Sequence, residues 1–296
     1  MRNEFAKAMV SLCAQNKNSV FLTGDLGFMA LEQVQAAYGK RFINMGVAEQ
    51  NMVSFAAGLA YEGFIPWLYS IAAFLLLRPY EQIRNDVCLH NLPVKLVGNG
   101  GGYGYGIMGA THHILEDIAV MRVLPNMKVY VPFIAEDVKE AVLQMNKDPQ
   151  PNYLRLNLAE KLDFPIPKFQ PWRKIKDGSK GIVIGTGPVT ANILKIQSNL
   201  EVWVAGKFPL EEMPKELISS IKCNPKILTI EEHAGACGLN EALAALLLKN
   251  KLPVIFKSLY AHGYPSGKYG SQKWHQEENH LLGKNLEKAV GEFIND

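Results

Sequence analysis

Glu49 has a setting in which a carboxyl could do chemistry. It lies in Asn44-Met45-Gly46-Val47-Ala48-Glu49-Gln50-Asn51-Met52-Val53, at the boundary between a short predicted strand and an apolar predicted helix. A glutamate in the first turn of a helix is commonly a solvated side chain favoured by the helix macrodipole. The Met, Val, Phe and Ala around this one support a second reading. Apolar neighbours disfavour the charged form of a carboxyl, so it can hold a proton and pass it to a ligand nitrogen.

The glycine run Gly98-Asn99-Gly100-Gly101-Gly102-Tyr103-Gly104-Tyr105-Gly106 follows another predicted strand. Its backbone amides could approach a ligand closely or cradle an anion. No Gly-Lys-Ser/Thr ends the run and its spacing is not that of a dinucleotide fingerprint, so a flexible loop is the competing reading. Its position keeps a ligand role level with the loop reading, because parallel sheets bind ligands at the carboxyl ends of their strands. His112 and His113 come next, with Thr111 before them and Glu116 and Asp117 after. Adjacent histidines point their rings apart and start a metal cluster poorly, so one catalytic or substrate-orienting histidine is the better use. His233 and His262 read as structural. Gly185-Thr186-Gly187-Pro188 reads as a helix start with proline at its first position.

The elements that must hold these residues alternate. Short apolar runs bounded by Gly, Asn or Asp alternate with longer amphipathic stretches, the pattern of parallel sheets covered by helices. Strands are predicted at 20–23, 42–44, 66–69, 94–98 and 129–131, with helices at 4–15, 49–61, 74–89 and 134–145. A second set has strands at 182–185, 202–205, 226–231 and 254–258, with helices after Pro188, around 211–221 and at 239–248. Between the sets, Pro165, Pro167 and Pro171 cannot sit inside a helix or a central strand and mark a linker. The fold class is therefore α/β, in two domains that are each a mostly parallel sheet covered by helices. The boundaries are 1–160, a linker at 161–178, and 179–296.

Composition narrows the function classes. The 296 residues, 48% hydrophobic and 20% charged, suffice for about two domains. The 31 basic residues exceed the 28 acidic ones by only three and form no basic block, which argues against nucleic acid as the partner. Four cysteines at positions 13, 88, 223 and 237 form neither a CxxC motif nor a secreted disulfide framework, so a reducing cytoplasm is expected. The longest apolar stretch, 64–77, is interrupted by Pro66 and falls short of the roughly 20 residues that cross a bilayer. No membrane partner is expected.

Three motifs carry a family resemblance: Gly46-Val47-Ala48-Glu49-Gln50; Tyr69-Ser70-Ile71-Ala72-Ala73-Phe74 with Arg78-Pro79-Tyr80-Glu81-Gln82-Ile83-Arg84; and Gly109-Ala110-Thr111-His112. In this order they resemble the pyrimidine-binding domain of transketolases. The second half resembles the transketolase C-terminal domain, and the whole is most similar to the C-terminal section of split transketolases. The resemblance implies thiamine diphosphate chemistry on a sugar or sugar-phosphate substrate. Glu49 matches the glutamate that hydrogen-bonds the aminopyrimidine nitrogen; protonation there makes the exocyclic nitrogen the base that activates the thiazolium. Phe74 matches the aromatic residue stacked on the pyrimidine, and Asp25 an aspartate beside the cofactor and dimer contact. Arg78 falls among the cofactor-binding positions. His112 matches a histidine near the thiazolium and substrate, His113 joins it as a substrate candidate, and Arg155 matches a position that holds substrate phosphate.

Departures from the family are equally informative. Where transketolases carry an acidic residue for a donor hydroxyl and a further histidine, this chain has Met108 and Gly100, which predicts an altered donor or acceptor. The Gly-Asp-Gly and downstream asparagine that hold the metal are absent, and Gly24-Asp25-Leu26-Gly27 is the nearest string. A diphosphate needs a counter-cation, so Mg2+ or Ca2+ is expected on a partner of the transketolase N-terminal type, with two copies of each subunit. Two alternatives remain: the beta subunit of another thiamine-diphosphate enzyme, such as a 2-oxo-acid dehydrogenase or a deoxyxylulose-phosphate-synthase-like protein, and a non-catalytic scaffold or regulatory paralogue. Release of carbon dioxide from a 2-oxo acid would distinguish the dehydrogenase type.

Overall fold

The computed structural model describes residues 1–27 and 29–295; Phe28 and Asp296 lie outside the described residues. The N-terminal half runs α1 (Arg2–Gln15), β1 (Ser19–Thr23), α2 (Glu32–Tyr38), β2 (Phe42–Asn44), α3 (Glu49–Tyr61), β3 (Ile65–Ile71), α4 (Ala72–Leu77), α5 (Tyr80–Gln82), β4 (Lys95–Asn99), α6 (Asp117–Arg122), β5 (Lys128–Tyr130), α7 (Asp137–Lys147) and β6 (Asn152–Leu156). The C-terminal half adds β7 (Trp172–Lys176), β8 (Ile182–Thr186), α8 (Ala191–Leu194), β9 (Glu201–Ala205), β10 (Lys207–Phe208), α9 (Lys215–Cys223), β11 (Lys226–Ala234), α10 (Leu239–Lys249), β12 (Ile255–Ala261), α11 (Gln272–Glu278) and α12 (Gly283–Asn295).

Two sheets result, a seven-stranded one in the order β10-β5-β6-β4-β3-β1-β2 and a five-stranded one in the order β12-β11-β8-β9-β7. Among the strands of the described residues, only the pairings of β10 with β5 and of β7 with β9 are antiparallel; the others are parallel. Ser-Val-Phe-Leu-Thr of β1 and Ile-Val-Ile-Gly-Thr of β8 are buried along their whole lengths, as strands covered on both faces require. Side chains alternate between the faces. Val20, Leu22, Leu68 and Leu96 pack with the α3 and α4 side, while Phe21, Trp67, Tyr69 and Val97 pack with α1 and α7.

The sequence reading did not include β6, α2, α6, α11 and α12, and three further departures concern breaks and joins in the chain. The helix predicted over 74–89 is broken: α4 ends at Leu77, Pro79 follows Arg78, and the chain resumes as α5 and a wider π turn at Ile83–Cys88. A proline has no N–H for the helical ladder and crowds the preceding turn, so Arg78 stands at a junction. The second sheet begins inside the stretch expected as linker, because Trp172–Lys176 is its antiparallel edge strand β7. The three prolines precede that strand. Finally, β10 leaves the C-terminal half and pairs with β5 at the edge of the first sheet. The halves are also joined by Arg173 of β7, whose guanidinium donates to Asp137 of α7 at 2.7 and 2.6 Å in the interior. No helix among the described residues is long and apolar enough to cross a membrane.

Candidate functional site

The carboxyl ends of β1 and β3 meet the start of α3 at Gly24. A Cβ on Gly24 would lie 3.4 Å from the Gly46 carbonyl and 3.8 Å from both Glu49 Oε1 and Ser70 Oγ. Parallel sheets bind ligands beyond these strand ends. Glu49, the first residue of α3, is only 3% exposed. Ser70 Oγ is buried and has no hydrogen-bond partner among the described residues, a costly state for a hydroxyl that a ligand could relieve.

Arg78 reaches this point from the junction after α4. Its Nη1 donates to Glu49 Oε1 and Oε2, both at 3.0 Å, and its Cζ stands 3.9 Å from the centroid of the Phe74 ring. The expected apolar surroundings of the carboxyl therefore include a guanidinium. Phe74 in turn meets the His112 ring edge-on, at 5.1 Å and 62°. His112 Nδ1 is 2.9 Å from Thr111 Oγ1, and the Tyr105 ring is 5.9 Å away. Residues 47–51 and Arg78 line a cleft of about 540 Å³ beside the carboxylate. Glu49, Phe74, Arg78 and His112 are thus brought together from α3, α4 and the loop after β4.

Asp25 stands next to this group. It has a left-handed backbone (φ 58°), and its N–H donates to Asn44 Oδ1 while Asn44 Nδ2 donates to Asp25 Oδ1, both at 3.0 Å. Gly46 N–H donates to the same Asn44 Oδ1. The Asp25–Asn44 pair thereby ties the loops after β1 and β2, and Asp25 lines a separate cleft of about 200 Å³.

Two expected substrate residues are turned into the interior. His113 Nε2 lies 2.7 Å from the Gly106 carbonyl and Nδ1 lies 3.0 Å from the Tyr264 hydroxyl. A carbonyl only accepts, so Nε2 carries the proton and Nδ1 accepts from the tyrosine. Burial, against the raising effect of the Gly106 carbonyl, pushes the His113 pKa down to about 4. This neutral ring, packed on Tyr103, Tyr264 and His275, joins the halves instead of facing a substrate. Arg155 is no strand-end phosphate clamp. Its Nε donates to Asp117 Oδ2 at 2.7 Å and its Nη2 to the Glu232 carbonyl at 2.9 Å, all in the interior.

The glycine run is packed tightly. The Tyr103 N–H donates to Glu232 Oε1 at 2.7 Å, so the anion held by this loop is the chain's own carboxylate. Gln272 and Gln276 donate to the same group. At Gly102, with φ +63°, a Cβ would lie 2.3 Å from Glu232 Oε1. At Gly100 a Cβ would lie 2.2 Å from the Tyr105 ring, whose hydroxyl accepts from Asn99 Nδ2. Tyr105 therefore fills the space beside residue 100, and Met108 is 53% exposed on the adjoining turn. Sequence reasoning missed Tyr105 and Ser70. Their signals were the second of two tyrosines in the glycine run before His112 and a hydroxyl at the end of a buried strand. Among the described residues, no group of three or more His, Cys, Asp or Glu could hold a metal ion.

Comparison with known proteins places this geometry in context. Residues 1–160 match the family described as transketolase, pyrimidine binding domain. One of the subunits of an apulose-4-phosphate transketolase, from Phocaeicola vulgatus, is 28% identical over 268 residues, covering 86% of this chain and 85% of that protein. A transketolase C-terminal section of Methanocaldococcus jannaschii is 30% identical over 267 residues, covering 85% and 83%. A solved structure described as a split gene transketolase, inactive beta4 tetramer, superposes with a TM-score of 0.84 at 29% identity, covering 99% of this chain and 97% of that one.

Proposed function

The chain belongs to the transketolase family as a transketolase-type transferase subunit, and we propose that it serves transfer of a two-carbon ketol unit from a ketose, or ketose phosphate, to an aldehyde acceptor. The observation that carries this reading is the meeting of Glu49, Ser70, Phe74 and His112 at the carboxyl ends of β1 and β3. The family implies thiamine diphosphate, and these residues suit its aminopyrimidine end. A buried carboxylate, an aromatic face and an unpaired buried hydroxyl match a flat ring with hydrogen-bonding edges. When bound, the cofactor supplies the nucleophilic carbon that carries the transferred unit.

The chain's own residues then have distinct tasks. Glu49 holds a proton at the ring nitrogen. Phe74 stacks on the ring, a contact worth about 0.5–1.5 kcal/mol beyond its buried area. His112, with Nδ1 engaged by Thr111, keeps Nε2 for hydrogen bonding or proton transfer at the substrate oxygen. Asp25, through Asn44, sets the loop next to Gly24, and the family resemblance assigns it to the cofactor and dimer contact. The diphosphate and its Mg2+ or Ca2+ are held by a partner subunit of the transketolase N-terminal type, with two copies of each subunit in a heterotetramer of carbohydrate metabolism. Two relatives support this division, one being a single subunit of its enzyme and the other a C-terminal section. Met108 and Gly100 leave donor recognition to other groups, and Arg155 is committed to Asp117.

Calorimetry tests the division of labour. The chain alone should show no tight binding of thiamine diphosphate with magnesium, whereas the complex with an N-terminal-type partner should bind it and transfer ketol units without releasing carbon dioxide. Tight binding by the isolated chain, or carbon dioxide release from a 2-oxo acid, would refute the reading.

A further inference from the structure

Arg78 makes two contacts at once, and both belong to groups assigned above to the cofactor. Its Nη1 shares hydrogen bonds with both oxygens of Glu49, and its guanidinium carbon Cζ lies over Phe74, 3.9 Å from the ring centroid. A guanidinium is flat, delocalised and edged with N–H donors, and it stacks on aromatic faces. A 4-aminopyrimidine shares this chemistry: a planar π-system that presents nitrogen to a carboxyl and a face to an aromatic ring. At 3.9 Å no second planar group fits between Arg78 and Phe74.

We propose that Arg78 is a built-in stand-in for the aminopyrimidine, occupying the Glu49 and Phe74 contacts in the free chain and leaving them when the cofactor ring enters. The proposal rests on the reading of Glu49 and Phe74 given under Proposed function. Three further observations favour it. The Arg78 side chain is 44% exposed, so its head group can turn into water without crossing the interior. Gln50 Nε2 donates to the Arg78 carbonyl at 3.3 Å, which anchors the backbone and confines the motion to the side chain. Glu49 is nearly fully buried, and an unpartnered carboxylate there would be costly. One-for-one exchange removes that cost, because one nitrogen-bearing planar group replaces the other on the same carboxyl.

The stand-in predicts the opposite sign from an arginine that helps hold the cofactor. Thiamine serves as the probe, since it carries the aminopyrimidine and needs no diphosphate or metal site. Arg78→Gln should tighten thiamine binding to the isolated chain on the order of tenfold, because affinity falls with the fraction of binding-competent chain. In the wild type, side-chain NMR of 15N-labelled arginine should show an Arg78 Nε–H signal displaced by the Phe74 ring current. The signal, assigned by its loss in Arg78→Gln, should return to an ordinary shift on saturation with thiamine. Weaker binding by Arg78→Gln, or an Arg78 signal unmoved by saturating thiamine, overturns the stand-in. Glu49→Ala separates the two failures. If it abolishes thiamine binding while Arg78→Gln weakens it, only the stand-in is lost; if thiamine binds neither the wild type nor Arg78→Gln, the stand-in is again lost alone; and if thiamine binds regardless of Glu49, the pyrimidine-site reading falls and the stand-in with it.

Discussion

Asp117→Leu leaves Arg155 without its counter-charge in the interior. The Arg155 Nε to Asp117 Oδ2 distance is 2.7 Å and the two side chains are 1% and 0% exposed, so water cannot replace the lost carboxylate. The Tyr153 hydroxyl, which donates to the same Oδ2 at 2.8 Å, loses its acceptor too. Breaking a buried ion pair from one side costs roughly 3–5 kcal/mol. With a shift of roughly 2 °C or more per kcal/mol for a large domain, Tm should fall by at least about 6 °C. The assay is thermal or urea unfolding of the wild type, Asp117→Leu, Arg155→Met and the double variant. A double-mutant cycle should show strong coupling, with the double variant recovering part of the loss, because an apolar pair of similar volume can replace a buried ion pair. If Asp117→Leu melts within about 1 °C of the wild type while Arg155→Met keeps its Tm and raises only KM for a phosphorylated donor, the buried pairing is refuted and Arg155 holds substrate phosphate.

Three further outcomes are expected. Gly102→Ala places a methyl group 2.3 Å from Glu232 Oε1 at a φ of +63°, so it should cost at least about 1–3 kcal/mol in urea unfolding and loosen the join between the halves; no change would refute the packed-loop description. His113, with its pKa pushed down to about 4, takes up its proton more readily in the unfolded chain than in the folded one. Its contribution to stability is therefore full above the ordinary histidine pKa and falls by up to about 1.4 kcal/mol per pH unit as pH drops from roughly 6.5 toward 4. Glu231, raised by burial to about 7, acts oppositely, favouring the fold at low pH and losing that contribution as pH rises toward 7. The difference between the wild-type and His113→Gln pH–stability curves isolates the histidine, and parallel curves would refute its neutral burial. Phe74→Leu should weaken cofactor binding by the complex by about 0.5–1.5 kcal/mol, roughly 2- to 12-fold in calorimetry; unchanged affinity would remove the stacking role.

Much of the scaffold was legible because its signals are local. Helix 49–61 and strand 42–44 were read with the observed bounds, since a periodic apolar face and a short apolar run closed by Asn44 define their own ends. The grouping of Glu49, Phe74 and His112 followed from the family resemblance that the motifs carry, without any sequence signal for the distances between them. What escaped depends on partners far along the chain. Arg155 reads as a free cation until Glu232, 77 residues on, accepts from it, and His113 reads as a site residue until Tyr264, 151 residues on, meets it. The two-residue β10 has no periodicity to detect, and it exists because β5 offers an edge. The helix read through 74–89 followed apolar spacing past Pro79, which was the signal for its break.

The central claim is that this subunit supplies the carboxylate on which ketol transfer depends. Its most direct test is kcat for ketol transfer by the complex with the N-terminal-type partner at saturating thiamine diphosphate and magnesium, compared between the wild type and Glu49→Ala. The expected result is an intact complex whose kcat falls by at least about 10²-fold, the lower range for a lost acid–base group. An intact, cofactor-loaded complex with unchanged turnover would contradict it.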